Sequence, residues 1–359
     1  MKKNILLTGI TGFLGSFLAK DLLKKGYHIF ALARGKKDLT AKDRVKCALQ
    51  FVYDDDWDSR YIASRIKLVE GDIIDPDFGI SDKKVIADLV QKTDIIIHSA
   101  AIAELNMPLE RIRPVNVGGT KNVLDFALRC HKFGRLKKVN HISTMYVAGT
   151  HQGKFDESML NVGQDFNNSY ERTKFEAEVL VRKYAKKGLN ISIFRPSLIM
   201  GDSRTGKTNN FRLFYQPLHF FAHEIYDVFP ADQHCVQNLI NVDTVSRVMV
   251  DLVEDEKPGV YHLVSPNDLR VKDFIKLSSQ YFHFKPPQLV PAKKFNFKKL
   301  TPVQQALAKP FMPYFNNKRD FASQLMKNPA KKIREVDAKN MNRVFKFCVN
   351  QEFIRTKPG

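Results

Sequence analysis

Residues 4–8, Asn-Ile-Leu-Leu-Thr, form a short apolar run without alternation, as expected of a strand buried on both faces of a parallel sheet. From residue 13 to 25 the pattern changes, and Leu14, Phe17, Leu18, Leu22 and Leu23 recur at helical spacing. Further apolar runs at 27–33, 67–70, 94–98, 137–143 and 191–195 predict strands. A helix is predicted to start at Ser169 and to continue through Phe175, Ala177, Val179, Leu180 and Val181. Strands alternating with helices predict an α/β fold whose parallel sheet is covered on both faces. Beyond residue 207 the pattern loosens into helix-like and aromatic-rich pieces at 211–221, 244–253 and 272–282, with a strand at 239–242. Two parts are therefore expected. One is an α/β domain over 1–206, to which the chain returns around 239–245; the other is a smaller, mainly helical lobe over 207–359.

Composition narrows the class. Of 359 residues 43% are hydrophobic, enough for a sizeable core, so disordered and collagen-like chains are excluded. The four cysteines, Cys47, Cys130, Cys235 and Cys348, lie far apart with no CxxC pair. That spacing gives neither a disulfide framework nor a zinc site, and a reducing cytoplasmic setting is expected. No stretch reaches the ~18–20 apolar residues needed to span a bilayer. Glycines and threonines interrupt the apolar opening and Lys20-Asp21 continues it as an amphipathic helix, so it does not read as a secretory leader. The sequons at Asn167 and Asn190 would matter only in a secreted protein and are read as chance.

The first chemistry lies between the first strand and the first helix, in Gly9-Ile10-Thr11-Gly12-Phe13-Leu14-Gly15. Glycines at this junction let backbone N–H groups approach a pyrophosphate and aim a helix N-terminus at it, which is the dinucleotide turn of a Rossmann-type, doubly wound sheet. The end of the second strand then selects the cofactor. An acid there would bind the ribose 2′-hydroxyl of NAD, but the chain reads Ala33-Arg34-Gly35-Lys36-Lys37, and Arg44 follows on a predicted helix. Two guanidiniums suit the 2′-phosphate of NADP(H). Asp72, in Gly71-Asp72-Ile73, is expected to reach the adenine amine, and the small residues Ser99, Ala100 and Ala101 let the cofactor lie against the fourth strand.

Catalytic residues are expected next. The strand at 137–143 ends in Ser143-Thr144, and Tyr170 and Lys174 stand at i and i+4 at the start of the helix that follows. They project from one face a turn apart, where an ammonium would favour phenolate and lower the tyrosine pKa towards that of a working general acid. A hydroxyl at the strand end would share the substrate oxygen.

With these motifs in place the chain resembles an extended short-chain dehydrogenase/reductase, whose catalytic set is Ser/Thr, Tyr and Lys. The resemblance implies Thr144 as the catalytic hydroxyl, with Ser143 as the fallback, Tyr170 as the acid, and Lys174 as a second hold on the nicotinamide ribose. It also implies Asn116, in Asn116-Val117-Gly118-Gly119-Thr120, as the supporting asparagine, and it adds Pro196 and Ser197 to the cofactor set. The chain is further similar to the thioester reductase and fatty acyl-CoA reductase branch of lipid metabolism. The segments that carry this are Thr8-Gly9-Ile10-Thr11-Gly12-Phe13-Leu14-Gly15, Gly71-Asp72-Ile73 with Phe78-Gly79-Ile80-Ser81, Ile97-His98-Ser99-Ala100-Ala101, Arg195-Pro196-Ser197, Gly201 to Gly206, and a late Met312-Pro313-Tyr314-Phe315. The tryptophan often found after the Gly-Ile-Ser element is absent. No adenylation or carrier domain precedes the motifs, so a carrier protein would be supplied separately. The implied activity is NADPH-dependent reduction of an acyl-CoA or acyl-carrier thioester to aldehyde, and with a second hydride to alcohol. No cysteine lies near the motifs, which disfavours a covalent thiohemiacetal route. The alternatives are a nucleotide-sugar epimerase or dehydratase, and a catalytically silent NADPH-binding scaffold, against which the full Thr144, Tyr170 and Lys174 set argues.

Other motifs are read as bland. Residues 201–208 satisfy the phosphate-loop pattern GxxxxGK(S/T), but Pro196 separates them from their strand and Thr208-Asn209-Asn210 does not open a helix. Lys207 and Arg204 are instead placed on a loop available to an anionic carrier. The acidic run Asp54-Asp55-Asp56-Trp57-Asp58 lacks partner ligands, and His98, His141 and His262 are not clustered in sequence, so no metal is expected. Phe211, Phe214, Tyr215, Phe220 and Phe221 are read as core before acyl channel. The formal charge is +20, and residues 283–359 hold 17 Lys and Arg against 4 Asp and Glu. No nucleic-acid motif accompanies this basic segment. It is expected to meet an acidic carrier protein, the phosphates of CoA, or an anionic membrane at which the protein would be peripheral.

Overall fold

A computed structural model describes residues 3–53, 58–316, 318–321, 323–325 and 333–355. The chain divides into two compact units. The first comprises residues 1–147, 168–195 and 246–261, and the second residues 148–167, 196–245 and 262–359.

The first unit begins with β1 (Asn4–Thr8), α1 (Phe13–Lys24), β2 (His28–Ala33), α2 (Ala41–Tyr53), α3 (Ser59–Arg65), β3 (Ile66–Glu70), α4 (Lys83–Lys92) and β4 (Ile95–His98). It continues with α5 (Leu109–Arg113), α6 (Gly119–Phe133), β5 (Lys138–Ile142) and α7 (Ser169–Ala185). Strands β1 to β5 are parallel, in the spatial order β3-β2-β1-β4-β5, and the strands Ile191–Pro196 and Val260–Leu263 complete a seven-stranded sheet on the β5 side. This is the doubly wound α/β arrangement expected from the apolar runs. Ile5, Leu6 and Leu7 of β1 and Ile96 of β4 have no exposed surface, so these strands carry no polar face. On one side of the sheet Leu6, Val69, Ile96, Val139 and Ile193 pack against Ile86, Val123, Phe126 and Val181 of α4, α6 and α7. The strand order reverses between β1 and β4, the crevice where open α/β sheets bind ligands.

The second unit combines helices with short strands. Two-stranded parallel ladders join Leu198–Met200 to Leu239–Asn241, Val228–Pro230 to Gln288–Val290, and Gly153–Phe155 to Arg319–Phe321. Helices Tyr215–Ala222, Val271–Phe282, Pro302–Ala308 and Ala338–Asn350 accompany them. The boundary expected at 206 falls at 195/196, residues 148–167 belong to the second unit, and the return to the first covers 246–261 rather than 239–245. The reason is that Ile191–Pro196 fills the sheet position beside β5, after which the chain has no further slot until residue 260. Among the described residues no helix is long and apolar enough to cross a membrane.

Candidate active site

The glycine turn is shaped by close approach. Gly9 has φ +76°, and a Cβ there would lie 2.6 Å from the Ala100 backbone nitrogen, while one on Gly15 would lie 2.0 Å from the Gly9 carbonyl oxygen. Only glycine fits either position. Helix α1 starts at Phe13, and its N-cap residue Gly12 provides no side-chain cap, nor is there an acid in the first turn. By contrast α3, α4 and α7 are capped by Asp58, Asp82 and Asn168. The Gly12 N–H closes the turn on the Gly9 carbonyl at 2.9 Å, and the Phe13 and Leu14 N–H groups at the helix start are those an anionic pyrophosphate would take. Thr11 stands beside them, half-buried, and Ser99, Ala100 and Ala101 line the adjoining end of β4.

At the end of β2 the two expected guanidiniums converge. Arg44 donates to the Arg34 carbonyl at 2.5 Å and to Thr11 Oγ1 at 3.0 Å, so it is tied both to the basic loop and to the glycine turn. Partial burial and the neighbouring Arg34 charge both lower the Arg44 pKa, an arrangement that a bound 2′-phosphate would relieve. Asp72 pairs with Arg34 at 2.5 Å and accepts the Ile74 N–H, so its carboxylate is fixed beside the end of β2. The turn after it is strained. Asp77 and Phe78 both have positive φ, 50° and 61°, held by the full burial of Phe78 and by the Asp72 N–H bonding the Phe78 carbonyl at 2.9 Å. Ile73 is buried, and a Cβ on Gly119 would strike it.

Tyr170, Lys174 and Glu178 stand at i, i+4 and i+8 on α7, beside the end of β5. The Tyr170 and Thr144 hydroxyls are hydrogen-bonded to each other. Lys174 Nζ donates to the Ile142 carbonyl at 2.6 Å, in the strand that leads to Thr144. Ser143, the fallback, is removed from candidacy because its hydroxyl donates to Glu178 Oε2 at 2.7 Å. Glu178 is fully buried and is also held by Arg195 at 2.6 and 3.0 Å and by Arg182 at 3.1 Å. Burial pulls its pKa up, but Arg195, Arg182 and Ser143 together bring it below the usual carboxylate value. The expected lowering of the tyrosine is not found. Burial pushes Tyr170 up to about 12, against the Thr144 hydrogen bond, because desolvating a phenolate outweighs the stabilisation on offer. Burial likewise brings Lys174 down to about 8, with Glu178 opposing.

Asn116 lies in a π-turn, Pro114–Gly118, with its side chain spent on the Ile102 backbone and Thr173, so it supports the site from within. Pro196 and Ser197 belong to the second unit, where the Ser197 N–H donates to Leu263 and its hydroxyl is buried with no hydrogen-bond partner among the described residues. No role was read from the sequence for Glu178 or Thr173, and Arg195, Thr8 and Thr120 stood only as members of longer segments. Of these Glu178 was detectable, as an acid on the Tyr170 and Lys174 face of the helix.

The remaining motifs resolve plainly. In 201–208 Asp202 Oδ1 accepts the N–H groups of Arg204 and Thr205, and no helix begins at Thr208, so the phosphate-loop pattern has no phosphate cradle. Residues Asp54 to Trp57 lie outside the described residues, while Asp58 caps α3. Phe214, Tyr215, Phe220 and Phe221 are core, and Phe211 stacks on Phe353. Among the described residues no group of three His, Cys, Asp or Glu is placed to hold a metal ion.

Comparison with known proteins returns named reductases among the curated relatives, and both reductase domains and a UDP-glucuronic acid 4-epimerase of Bacillus cereus among the similar folds. The model of an NAD-binding family described as male sterility protein matches residues 7–249. The L-2-aminoadipate reductase large subunit of Candida glabrata is 30% identical over 267 residues, which is 69% of this chain and 19% of that protein. The L-2-aminoadipate reductase of Saccharomyces cerevisiae is likewise 30% identical over 267 residues, 69% of this chain and 18% of that protein. The chain thus spans about a fifth of the length of these curated relatives. Among solved structures, the terminal R domain from the myxalamid PKS-NRPS biosynthetic pathway superposes with TM-score 0.84 at 26% identity, covering 99% of this chain and 93% of that one. A thiolation-reductase di-domain from an archaeal non-ribosomal peptide synthetase shares the fold, with TM-score 0.75 at 21% identity, covering 99% of this chain and 92% of that one.

Proposed function

This chain belongs to the NAD-binding family described as male sterility protein, and from that premise we propose that it is an NADPH-dependent reductase of acyl thioesters. The observation that carries the reading is Lys174 anchored at 2.6 Å on the Ile142 carbonyl, in the strand that leads to Thr144, with Tyr170 one turn before it on α7. The residues present fit the cofactor: a cradle that a Cβ would fill at Gly9, an uncapped α1, and two guanidiniums at Arg34 and Arg44. When bound, NADPH supplies a hydride to the thioester carbonyl carbon. Thr144 and Tyr170 hydrogen-bond the carbonyl oxygen as it gains charge, Tyr170 gives it a proton, and the Lys174 ammonium stabilises the phenolate left behind. The hemithioacetal then collapses to aldehyde and free thiol.

The thioester is proposed to be carried on a carrier protein or CoA, with aldehyde as first product and alcohol after a second hydride. The resemblance to a reductase domain of a peptide synthetase pathway supports a carrier-borne substrate, and the basic segment from His283 onward supplies the complementary charge. The test is incubation with NADPH and acyl-CoAs of varied length, or the same acyl groups on a carrier protein, following NADPH oxidation and thiol release together. One NADPH oxidised per thiol is expected where the aldehyde is released, and two per thiol where it goes on to alcohol. Oxidation without thiol overturns the thioester reading, and tight NADPH binding without turnover of any carbonyl overturns the enzyme.

A further inference from the structure

A line of buried polar groups runs beneath the site from the dinucleotide turn to the catalytic helix, and its protons can be placed. Thr120 Oγ1 lies 2.6 Å from the Asn116 carbonyl, which can only accept, so the single Thr120 proton is spent there. Toward His98 Nε2, 3.0 Å away, Thr120 must therefore accept, which puts the imidazole proton on Nε2. His98 Nδ1, 2.8 Å from Thr8 Oγ1, then accepts from Thr8, whose own oxygen takes the Ala100 N–H at 3.2 Å. Beyond Thr120, the Asn116 side chain is fixed at every position: Oδ1 accepts from Ile102 N–H at 2.8 Å, and Nδ2 donates to the Ile102 carbonyl at 3.0 Å and to Thr173 Oγ1 at 3.1 Å. Thr173 in turn donates to the Ser169 carbonyl at 2.8 Å and lies 3.1 Å from that of Tyr170. Thr8, His98, Asn116, Thr120 and Thr173 are all at least nine-tenths buried, so no water competes for these bonds from bulk.

We propose that Thr8, His98 and Thr120 are positioning residues of the reductase, an ordered hydrogen-bond chain that sets Asn116 against the first turn of α7 and so fixes the Tyr170 hydroxyl relative to the dinucleotide turn. The inference rests on the reductase reading. It requires a neutral imidazole, and burial beside the Lys174 ammonium holds His98 down to about 3. The neighbouring His141, whose ring centre lies 5.4 Å away, is also kept neutral by burial, with Lys174 and His98 adding to the effect. The chain couples the residue just before Gly9 to the helical turn that carries Tyr170, although neither Thr8 nor Thr120 touches the reacting atoms.

The test uses the full chain with Thr120→Val, Thr120→Ser, Thr8→Val and the double Thr8→Val/Thr120→Val variant. Melting temperature, NADPH Kd, kcat and the nitrogen NMR spectrum of labelled histidine are measured for each. Thr120→Val is expected to bind NADPH within a few-fold of the parent while kcat falls about tenfold to a hundredfold, the usual cost of a small misplacement of catalytic groups. Thr120→Ser, which keeps the hydroxyl, is expected to restore kcat. The double variant should lose no more than the worse single one, because a chain broken once is already broken. Unchanged kcat in Thr120→Val, failure of Thr120→Ser to restore it, or single losses that multiply in the double variant would each overturn the proposal. The NMR measurement separates this from the parent reading. If wild type reduces nothing, the reductase reading fails. A His98 proton found on Nδ1, or an imidazolium near neutral pH, overturns the chain whether or not turnover is seen.

Discussion

Ser143 and Glu178 meet at 2.7 Å inside the first unit, and that contact decides which of two adjacent hydroxyls is left for chemistry. Ser143 is turned inward to a buried carboxylate, while Thr144 next to it shares a hydrogen bond with Tyr170. Thr144→Val is therefore expected to lower kcat/KM about a hundredfold to a thousandfold, the range for loss of one oxyanion donor. Ser143→Ala is expected to keep activity within a few-fold and to cost about 1.5–3 kcal/mol of stability, as for a hydrogen bond to a charged group. Steady-state kinetics paired with urea unfolding of both variants checks the assignment. A Ser143→Ala enzyme as impaired as Thr144→Val would reverse it.

Glu178 and Arg195 have no exposed side-chain surface, so their pair at 2.6 Å is a buried one. Removing one partner strands the other charge without water. Glu178→Ala is expected to destabilise the fold by about 3–5 kcal/mol, whereas replacing both residues together with methionine should recover much of the loss. Denaturant midpoints of the single and double variants give the answer. A single variant as stable as the double would show that the charge left behind is solvated.

Arg34 and Arg44 are expected to read the 2′-phosphate, Arg44 from its anchor on Thr11. Arg44→Ala should raise the NADPH Kd about tenfold to a hundredfold, the equivalent of ~1.5–3 kcal/mol for a charge-assisted hydrogen bond, and leave NADH binding nearly unchanged. Calorimetric titration with both dinucleotides measures the ratio. Equal losses for both would place Arg44 at the pyrophosphate turn instead.

Much of the first unit was legible because buried parallel strands are uniformly apolar and a glycine turn between strand and helix has few other uses. The runs at Ile5 to Leu7 and Ile95 to Ile97 could hardly be anything else. The second unit was not legible for the opposite reason. Its ladders are two or three residues long and pair distant segments, such as Gly153–Phe155 with Arg319–Phe321, so no local period announces them. In the candidate site, motif spacing singles out Tyr170, Lys174 and Thr144 but does not say how their environment tunes them. A spacing of four residues says that an ammonium is near a phenol; it does not say that both are desolvated, and here desolvation dominates. Asp72 shows the same limit, since its partner Arg34 comes from a different strand end.

The pH dependence of turnover follows from Lys174 and Tyr170. The mechanism needs Lys174 charged and Tyr170 protonated. Burial holds Lys174 down to about 8 and Tyr170 up to about 12, so on the alkaline side the lysine titrates first. kcat/KM for NADPH, which reports the free enzyme, is expected to fall tenfold per pH unit above about 8. Loss of fold would produce a similar decline, but the sign of the linkage separates the two. Lys174 has a lower pKa in the folded chain than its ordinary 10.5, so between pH 8 and 10.5 the unfolded chain holds the extra proton. This residue therefore adds stability as pH rises through that window. Activity should drop while the melting temperature shows no loss attributable to Lys174. Lys174→Arg retains a charge that does not titrate in this range, so its slower turnover should show no break near pH 8. A break that persists unchanged in Lys174→Arg would assign the titration to a different group.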